Sequence, residues 1–540
     1  MCEVRKDETV GDLAGYISLD EVAMALAKMR MRRTVRNAGE EFVRRYMSVG
    51  GASENKSPAC AFLPPRRQWV RQGPCARRRK SSAQLQVGAI MRCVRACERN
   101  GSLEKTEWGR RLIGLVENLQ GQVARQEFTV VPPRSAKVPK LSVDGTRGER
   151  EISVFDDPAT AVLISRTGAY LRDWFEPVLK RGRCCYSFRK NPKISHQSAV
   201  RDLCAWRKAH VDASAFVAEC DIRKFFDNIR HDVVEESIRH YIAELGAPDS
   251  SAMGVVCAYL ACYCKDESDG IRRGSPQGGA LSPTLANIVM ARADDTVLAA
   301  VQRNAFYARY CDDMVIASVD EGVCHCAMEA YLGALDALGL PPHPMTEFAY
   351  GLEYFEAKSK GPFRWDWAKA GERNVAPWVS FLGNQVRCDG EVRVRGDTVA
   401  KHVLKLKKET GETINRLANE GVSLRAGMNP RKFYTAFMRR IVAKGVGYMR
   451  SGTIPSDGLC WAAAFPNMTK NAACARQMRM LDRVRSRCLG ALRRVLGLKG
   501  AVVRFAGRPY SYFGYLMKMM RPARGPRRTP MVVRLPYSEL

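Results

Sequence analysis

The stretch RYCDDMVIAS, residues 309–318, sets two adjacent carboxylates, Asp312 and Asp313, between two apolar runs. This pattern predicts two strands joined by a tight turn, with both acids at the tip. Like charges this close repel, and burial of the pair would raise one of the two pKa values. A divalent cation beside them removes that cost and keeps both carboxylates ionised. The pattern therefore predicts a metal-binding turn, provided that a third acid reaches it.

A candidate for the third acid is Asp221, which follows the strand-like run AFVAEC. Asp221 lies 91 residues before Asp312, so only a sheet that joins two strand ends can unite them. Three united carboxylates could hold two Mg²⁺ ions roughly 3.5–4 Å apart, the spacing used for in-line phosphoryl transfer. One ion would lower the pKa of a primer 3′-hydroxyl, and the other would hold a triphosphate. Mg²⁺ prefers carboxylate oxygens, which suits a site without His or Cys ligands.

A glycine-rich loop, RRGSPQGGALSPTLANIVM at residues 272–290, lies between these two acidic segments. Its glycines Gly274, Gly278 and Gly279 allow another backbone or a ligand to approach closely. Gln277 can hydrogen-bond a nucleotide. Ser282 and the proline after it are typical of a helix start. The loop is therefore a second candidate for nucleotide contact.

The elements that must position these residues are short strands mixed with amphipathic helices between about residues 125 and 395. The segments HDVVEESIRHYIAEL and SPTLANIVMARADDTVLAAVQ each predict a helix. From about residue 396 onward the pattern is nearly all helical, with a stripe formed by Leu481, Val484, Cys488, Leu492 and Val495. We predict three regions: a basic, mostly helical N-terminal extension (1–124), the acid-bearing region (125–395) and a basic helical region (396–540).

The charge of the chain points to a polyanionic partner. Its 540 residues carry 87 Lys and Arg against 56 Asp and Glu, a formal net charge of +31. Residues 395–540 hold 30 of these basic residues and 7 of the acidic ones. Nucleic acid is the partner that such an excess favours.

Several function classes are disfavoured by the composition. The sequence has no run of 18 apolar residues, so it predicts no membrane span. The N-terminus has no apolar core of a secretory signal. Nineteen cysteines without such a signal indicate free thiols in a reducing cytoplasm. The clusters Cys257–Cys264 and Cys324–Cys326 do not have the paired spacing of zinc knuckles, which favours bystander thiols.

The ordered set DIRKFFDNI, RGSPQGGALSPTLAN and RYCDDMVIA resembles the palm of reverse transcriptases, and most closely the bacterial branch related to group II intron proteins. The resemblance extends to YSFRKNPKISHQSAV at 186–200, which is similar to part of the fingers. It also extends to FLGNQVRCDGEVRVR at 381–395, which looks like the palm–thumb junction and primer grip. It implies an α+β right-hand polymerase. Residues 125–395 would be fingers and palm with an antiparallel palm sheet, and the thumb and both terminal extensions would be helical.

Carried onto this sequence, the resemblance implies a set of site residues. Asp221, Asp312 and Asp313 would be catalytic and would bind two Mg²⁺ ions, with the backbone carbonyl of Ile222 completing a metal shell. Phe226 would be a steric gate that blocks a ribose 2′-hydroxyl, so that dNTPs are preferred.

Three further contacts follow from the same resemblance. Gln277 would contact the incoming nucleotide. Arg150, with Lys140 or Arg147 as alternatives, would grip the triphosphate from the fingers. Lys358 would protonate pyrophosphate or contact backbone.

The absences within the sequence favour one kind of reverse transcriptase. The PQG element is intact, and neither a Cys/His-rich endonuclease nor a second acidic set typical of ribonuclease H is found. The C-terminal helices resemble those of stand-alone bacterial enzymes, many of them of the "unknown group" that serves in anti-phage defence. This implies a dedicated noncoding RNA as template, a cDNA duplex as product, and an effector protein encoded nearby.

Other interpretations remain open at this point. One is a group II intron-type maturase or retroelement enzyme, and another is a catalytically idle fold that acts as an RNA-binding scaffold. A third is an RNA-making polymerase, which Phe226 disfavours. Tyr510, Tyr512 and Phe513 either stack on bases or pack the last helix.

Overall fold

The structure is a computed structural model of the 540-residue chain. It describes most of residues 11–499 and two short segments beyond them. The described ranges are 11–36, 42–43, 45–48, 57–70, 82–141, 147–301, 305–346, 357–369, 372–446, 448–449, 467–468, 472–499, 511–519 and 533–534.

A five-stranded sheet forms the centre of the molecule, and we call it the palm sheet. Its strand order is β4-β5-β3-β7-β6, and all neighbours are antiparallel except β6 and β7. The strands span β3 Phe216–Cys220, β4 Ala305–Tyr310, β5 Asp313–Ser318, β6 Met345–Thr346 and β7 Ser359–Arg364. The predicted strand–turn–strand around the adjacent acids is therefore present as the hairpin β4–β5.

One face of the palm sheet packs on two helices, α10 (Ser282–Val301) and α11 (Glu321–Ala337). Side chains alternate along each strand, so Ala218 and Cys220 of β3 enter the core on this face. Helix α10 begins at the predicted Ser282 and is buried along most of its length. The helix α11 begins after Asp320, whose side chain accepts a hydrogen bond from the backbone N–H of Val323.

The other face of the palm sheet packs on helix α5 (His196–Ala209) and on a second, three-stranded antiparallel sheet. Val217 and Val315 of the palm sheet meet Val379 and Phe381 of this second sheet in a separate apolar cluster. The strands of the second sheet are β8 Trp378–Phe381, β9 Asn384–Arg387 and β10 Val392–Val394.

The N-terminal helices share the core of the palm helices. They pack around the 25-residue helix α4 (Pro158–Gly182), which begins with a proline and is capped by the Asp157 side chain. Arg166 of α4 is paired with Glu21 across this contact. An exposed antiparallel hairpin precedes α4. These elements are α1 Leu19–Arg36, α2 Ser82–Arg99, α3 Glu107–Arg125, β1 Arg134–Leu141 and β2 Arg147–Val154.

Short helices connect β3 to α10. The segment predicted as one helix, HDVVEESIRHYIAEL, forms two helices because Tyr241 ends the first. These helices are α6 Phe225–Asn228, α7 His231–His240, α8 Ile242–Leu245 and α9 Ser250–Ala261. Three 3₁₀ turns lie nearer the N-terminus, at Leu13–Tyr16, Pro58–Phe62 and Arg66–Gln68.

The C-terminal region is helical and has its own apolar core. Residues 42–43 and 45–48 join this core: Phe42 contacts Phe433 with ring centroids 5.7 Å apart, and the Ser48 N–H donates to the Ser423 carbonyl. The elements are α12 Gly396–Ala418, α13 Pro430–Val446, α14 Ala472–Val495, α15 Tyr512–Met519, and the two-residue strands β11 Tyr448–Met449 and β12 Val533–Arg534. None of the described helices is long and apolar enough to cross a membrane.

Two details of this region refine the sequence predictions. Leu481 and Leu492 of the predicted stripe are buried, but Val495 is 40% exposed because it is the last residue of α14 and extends past the core. Tyr512 is buried and its hydroxyl lies 2.7 Å from His402 Nε2, which favours packing over base stacking. Tyr510 lies outside the described residues.

Candidate active site

The adjacent acids lie where the sequence predicted them, at the turn of the β4–β5 hairpin. The last pair of the ladder is Tyr310 with Asp313, so Cys311 and Asp312 alone form the turn. Cys311 has a φ of 62°, a positive value that the favoured two-residue hairpin turns require. A residue other than glycine is strained there, by about 1–3 kcal/mol. The surrounding structure must therefore hold this turn in place.

A buried arginine provides that support from beneath the turn. Arg309 is fully buried and donates from Nη1 to the carbonyl of Cys311 at 3.1 Å. Its Nε and Nη2 donate to the two carboxylate oxygens of Asp294 on α10 at 2.7 and 2.5 Å. The Tyr307 hydroxyl also donates to Asp294, at 2.7 Å. The backbone of the turn is thus bonded through one guanidinium to the helix behind the sheet.

The third acid arrives on the neighbouring strand. Strand β3 pairs with β5 so that Cys220 faces Met314, and one step further the register sets Asp221 level with Asp313. Cα atoms of directly opposed antiparallel residues lie about 4.5–5.5 Å apart. The structure thus brings together the two acidic segments that are 91 residues apart in the chain. The catalytic role of the three acids stays a prediction.

The electrostatics of the cluster are those of crowded like charges. Burial, followed by the nearby charge of Asp221, raises the pKa of Asp312. The protein around Asp313 raises the pKa of this acid to about 7, and the charges of Asp312 and Asp221 add to the effect. The Asp313 side chain is nevertheless exposed to solvent, whereas Asp312 is half-buried. A cation that neutralises the cluster would therefore bind favourably.

A lysine already pairs with one of the acids. Lys358 Nζ donates to Asp221 Oδ2 at 2.8 Å and lies 3.0 Å from Nε2 of His343. Lys358 is 54% exposed, whereas the Asp221 side chain is 19% exposed. A short bridge pairs Ile222 with Pro342, and its hydrogen bonds are made by the residues on either side, so within the described ranges none of them occupies the Ile222 carbonyl.

The side chains of Asp221, Asp312 and Asp313 do not converge on a single point in this structure. Among the described residues, no three or more His, Cys, Asp or Glu side chains are arranged to hold one metal ion. This also covers the two cysteine clusters named above. The hard oxygens of the three acids fit Mg²⁺ by their chemistry, and the Asp221 oxygen bound to Lys358 would have to turn toward the ion.

The glycine-rich loop contacts the hairpin β1–β2. Arg150 Nε donates to Gln277 Oε1 at 3.0 Å, and the Ser153 N–H donates to the Gln277 carbonyl at 2.7 Å. Gly278 has a φ of 111°, and a Cβ there would lie 2.9 Å from the Ser153 carbonyl oxygen. Two predicted nucleotide-binding residues, Arg150 and Gln277, are thus in direct contact. The side chains of Lys140 and Arg147 lie outside the described part of the chain.

The predicted gate residue, Phe226, lies beside this loop. Phe225 is buried, and its ring centroid lies 5.2 Å from that of the half-buried Phe226. The Phe226 carbonyl accepts a hydrogen bond of 2.7 Å from the Ser275 N–H. Phe225 is therefore a core residue, whereas part of the Phe226 ring stays exposed to solvent.

Sequence reasoning missed the buried charges around the acids. One pair is Arg309 with Asp294. The other is Glu219 with Lys360, in which Glu219 Oε2 and Lys360 Nζ are 2.9 Å apart. The available signal was a charged residue at a core-facing position of an apolar strand, since such a residue requires a buried partner.

A cavity of about 1020 Å³ lies at the opposite end of the hairpin, where β4 begins. Trp206, Phe306 and Arg183 are among the residues that line it. None of the three acids does, so the cavity is separate from the candidate site.

Comparison with known proteins agrees with this geometry. Residues 184–344, which include all three acids, match the family described as reverse transcriptase (RNA-dependent DNA polymerase). These residues thus form a reverse transcriptase domain built of helices around an antiparallel sheet, as the right-hand polymerase fold requires. The assignment of the thumb and the terminal extensions stays a prediction.

A curated relative is a putative COX1/OXI3 intron 1 protein from Saccharomyces cerevisiae, 27% identical over 183 residues. The match covers 33% of this chain and 20% of the yeast protein, so this chain corresponds to about a fifth of that relative. The similarity is therefore confined to a part of each protein.

Solved structures with some likeness include two telomerases. Apo telomerase from Candida tropicalis has a TM-score of 0.36 at 10% identity, over 70% of this chain and 67% of that one. Telomerase from Candida albicans in complex with a fragment of telomeric RNA has a TM-score of 0.35 at 12% identity, over 73% and 64%. Scores of this size carry no argument about this chain.

Proposed function

We propose that the chain, built around the reverse transcriptase domain of residues 184–344, is an RNA-directed DNA polymerase that adds dNTPs to a 3′ end. The observation that carries this proposal is the meeting of Asp221 with the Asp312–Asp313 turn at neighbouring strand ends. Phosphoryl transfer needs little covalent help from protein, and it depends on positioning and on stabilisation of charge. Three carboxylates at the ends of neighbouring paired strands suit that requirement.

The metal ions in this proposal are two Mg²⁺. Asp221, Asp312 and Asp313 would hold them, and the carbonyl of Ile222 would complete the ligand set. Bound there, the ions supply activation of the 3′-hydroxyl and neutralisation of charge on the triphosphate. The protein contributes the rigid turn, because Arg309 holds the backbone next to Asp312.

The incoming dNTP would lie between the hairpin β1–β2 and the glycine-rich loop. Arg150 is already positioned by Gln277, so its guanidinium is available to a triphosphate without further ordering. The ring of Phe226, whose backbone is bonded to Ser275 of the glycine-rich loop, would exclude a ribose 2′-hydroxyl. Lys358 would leave Asp221 and donate to the pyrophosphate.

The template in this proposal is RNA, and the product is a cDNA duplex. The +31 net charge supports a nucleic-acid partner. A dedicated noncoding RNA, a bacterial anti-phage role in the cytoplasm, and an effector protein encoded nearby rest on the sequence resemblance alone. Similarity to an intron 1 protein favours a second candidate, an intron-type maturase or retroelement enzyme.

Primer extension on an RNA template tests the proposal. Wild-type chain should incorporate dNTPs only with Mg²⁺, and Asp312→Asn should lose activity on the order of a thousandfold or more, since the acids act as a unit. Asp320→Asn is the matched control, because asparagine preserves the cap of α11 and removes the same charge. Extension by Asp312→Asn at the wild-type rate would refute the site.

Sugar selection has its own assay. Phe226→Ala should raise the incorporation of rNTPs relative to dNTPs in direct competition, because the ring that blocks the 2′-hydroxyl is gone. An unchanged ratio would remove Phe226 from the proposal and leave the polymerase assignment intact.

A further inference from the structure

A buried ion pair lies beside the catalytic end of β3 and takes no part in the proposed chemistry. Glu219, two residues before Asp221, pairs with Lys360 of β7, with Oε2 and Nζ 2.9 Å apart. Their side chains are 9% and 3% exposed. Removal of two charges from water costs several kcal/mol per ion, and packed apolar residues often stabilise a core as well or better. The pair therefore calls for a role other than stability.

The second carboxylate oxygen of Glu219 reaches a different sheet. Glu219 Oε1 accepts a hydrogen bond of 3.1 Å from the backbone N–H of Ser380 on β8. Strand β8 is an edge of the three-stranded sheet, and in the β8–β9 ladder Ser380 pairs with Gln385. This N–H thus points outward from the edge, where no strand of that sheet covers it. One carboxylate joins β3, β7 and β8.

The point of contact is close to a tight turn. Two residues after Ser380, Leu382 and Gly383 form the β8–β9 turn, with φ values of 49° and 75°. This hairpin leads into the segment 381–395, which resembles the palm–thumb junction and primer grip. Fixing Ser380 therefore fixes the position of this turn relative to β3.

The bond lies on the reactive face of the palm sheet. Side chains two residues apart in a strand point to the same face, so Glu219 and Asp221 share one face of β3. The second sheet packs against that face, where Val217 meets Val379. If the primer 3′ end lies against the β8–β9 turn, its position relative to Asp221 is set by the contact between β8 and β3.

We propose that Glu219 is a positioning residue that sets the β8–β9 turn at a fixed place beside Asp221 and so aligns the primer 3′ end. Lys360 neutralises the buried charge of Glu219, and the other carboxylate oxygen, which accepts from Ser380, does the positioning. The inference rests on the proposed polymerase function. Misplacement of a reacting group by about 1 Å can cost up to about 10²-fold in rate, so a single hydrogen bond at this joint is enough to matter.

Two double variants separate this role from a stabilising one. Both remove the ion pair and keep similar volumes, but Glu219→Gln/Lys360→Met retains an oxygen that accepts from the Ser380 N–H, and Glu219→Leu/Lys360→Met does not. The first should extend a primer on RNA at close to the wild-type rate. The second should show a kcat at least about tenfold lower, with an unchanged KM for dNTP and a melting temperature close to that of the first.

Hydrogen exchange of the Ser380 amide reads out the bond without activity. It should be slow in the wild type and in the glutamine variant, and fast in the leucine variant. Equal kcat values for the two variants, or equal exchange, would overturn the proposal. A wild-type chain that extends no primer would instead refute the proposed function, and the exchange result would still decide whether Glu219 holds Ser380.

Discussion

The palm sheet has a buried ion pair on each face, and the two pairs are built differently. On the helix side, Arg309 donates to both oxygens of Asp294 and to the turn carbonyl of Cys311, and Tyr307 adds a further bond to Asp294. On the side of the second sheet, Lys360 pairs with Glu219, whose other oxygen accepts from a backbone N–H. The first pair serves one hairpin, whereas the second joins two sheets.

This difference separates two tasks of the same architecture. A guanidinium can donate in several directions at once, so Arg309 can neutralise an acid and hold a strained turn together. A carboxylate with two oxygens can bind a cation and a distant N–H, so Glu219 can connect elements. The pair Lys358–Asp221 contrasts with both, because it is open to solvent and must separate if Asp221 is to bind metal.

The largest effect on stability is expected at the helix-side pair. Asp294→Asn leaves the Arg309 guanidinium buried without a compensating charge, which should lower the free energy of unfolding by about 3–5 kcal/mol. Urea unfolding followed by circular dichroism measures this. Arg309→Met/Asp294→Leu should recover most of the loss. A loss below about 1 kcal/mol for Asp294→Asn would show that the Arg309–Asp294 pair contributes no more than an exposed ion pair, against the expectation for a buried one.

A smaller loss is expected at the other pair. Lys360→Met leaves Glu219 with its bond from the Ser380 N–H, so the free energy of unfolding should fall by about 2–3 kcal/mol, in the range of a charged group that keeps one partner. The same urea titration compares it with Asp294→Asn. If Lys360→Met lowered the free energy of unfolding more than Asp294→Asn does, the number of hydrogen bonds around Arg309 would not determine which pair contributes more to stability.

The close approach of the glycine-rich loop to the hairpin β1–β2 provides the next test. At Gly278, alanine combines a strained φ with a Cβ that meets the Ser153 carbonyl oxygen, so Gly278→Ala should cost about 1–3 kcal/mol locally and raise the KM for dNTP. Gly114→Ala in α3 is the control, since nothing lies within 4 Å of its added Cβ. That control should stabilise by about 0.5–1 kcal/mol. An unchanged KM for dNTP in Gly278→Ala would show that the glycine-rich loop does not take part in nucleotide binding.

The smallest effect on stability is expected at the open pair. Lys358→Met should change the free energy of unfolding by less than about 1 kcal/mol, because an exposed ion pair contributes little. Its kcat should nevertheless fall, since Lys358 is the proposed donor to pyrophosphate. Wild-type kcat in this variant would show that Lys358 is a surface residue near the site and nothing more.

The sequence was informative where the pattern is local. Alternation and turn chemistry predicted the hairpin around Asp312 and Asp313, and the strand before Asp221 pointed to the third acid. The start of α10 at Ser282 was also predicted, because a serine–proline pair has a direct backbone consequence.

The remaining features depend on contacts between distant segments. Nothing local in ARYCDD specifies that Arg309 is buried against Asp294 on a helix 15 residues earlier. Likewise, the contact of Glu219 with Ser380 spans 161 residues, and Phe42 and Met47 pack on a core formed almost 400 residues later. These contacts depend on how distant segments pack together, and the periodicity of a single sequence carries no information on that packing.

The most direct test of the central claim is a crystal structure of the chain with Mn²⁺, an RNA template, a primer and a non-reacting dNTP, with anomalous differences measured at the manganese edge. We predict anomalous density bounded by the carboxylates of Asp221 and Asp312, with Lys358 Nζ displaced from Asp221 Oδ2. The account would be contradicted by a nucleotide bound beside the β4–β5 turn while Asp221 stays paired with Lys358 and manganese lies elsewhere.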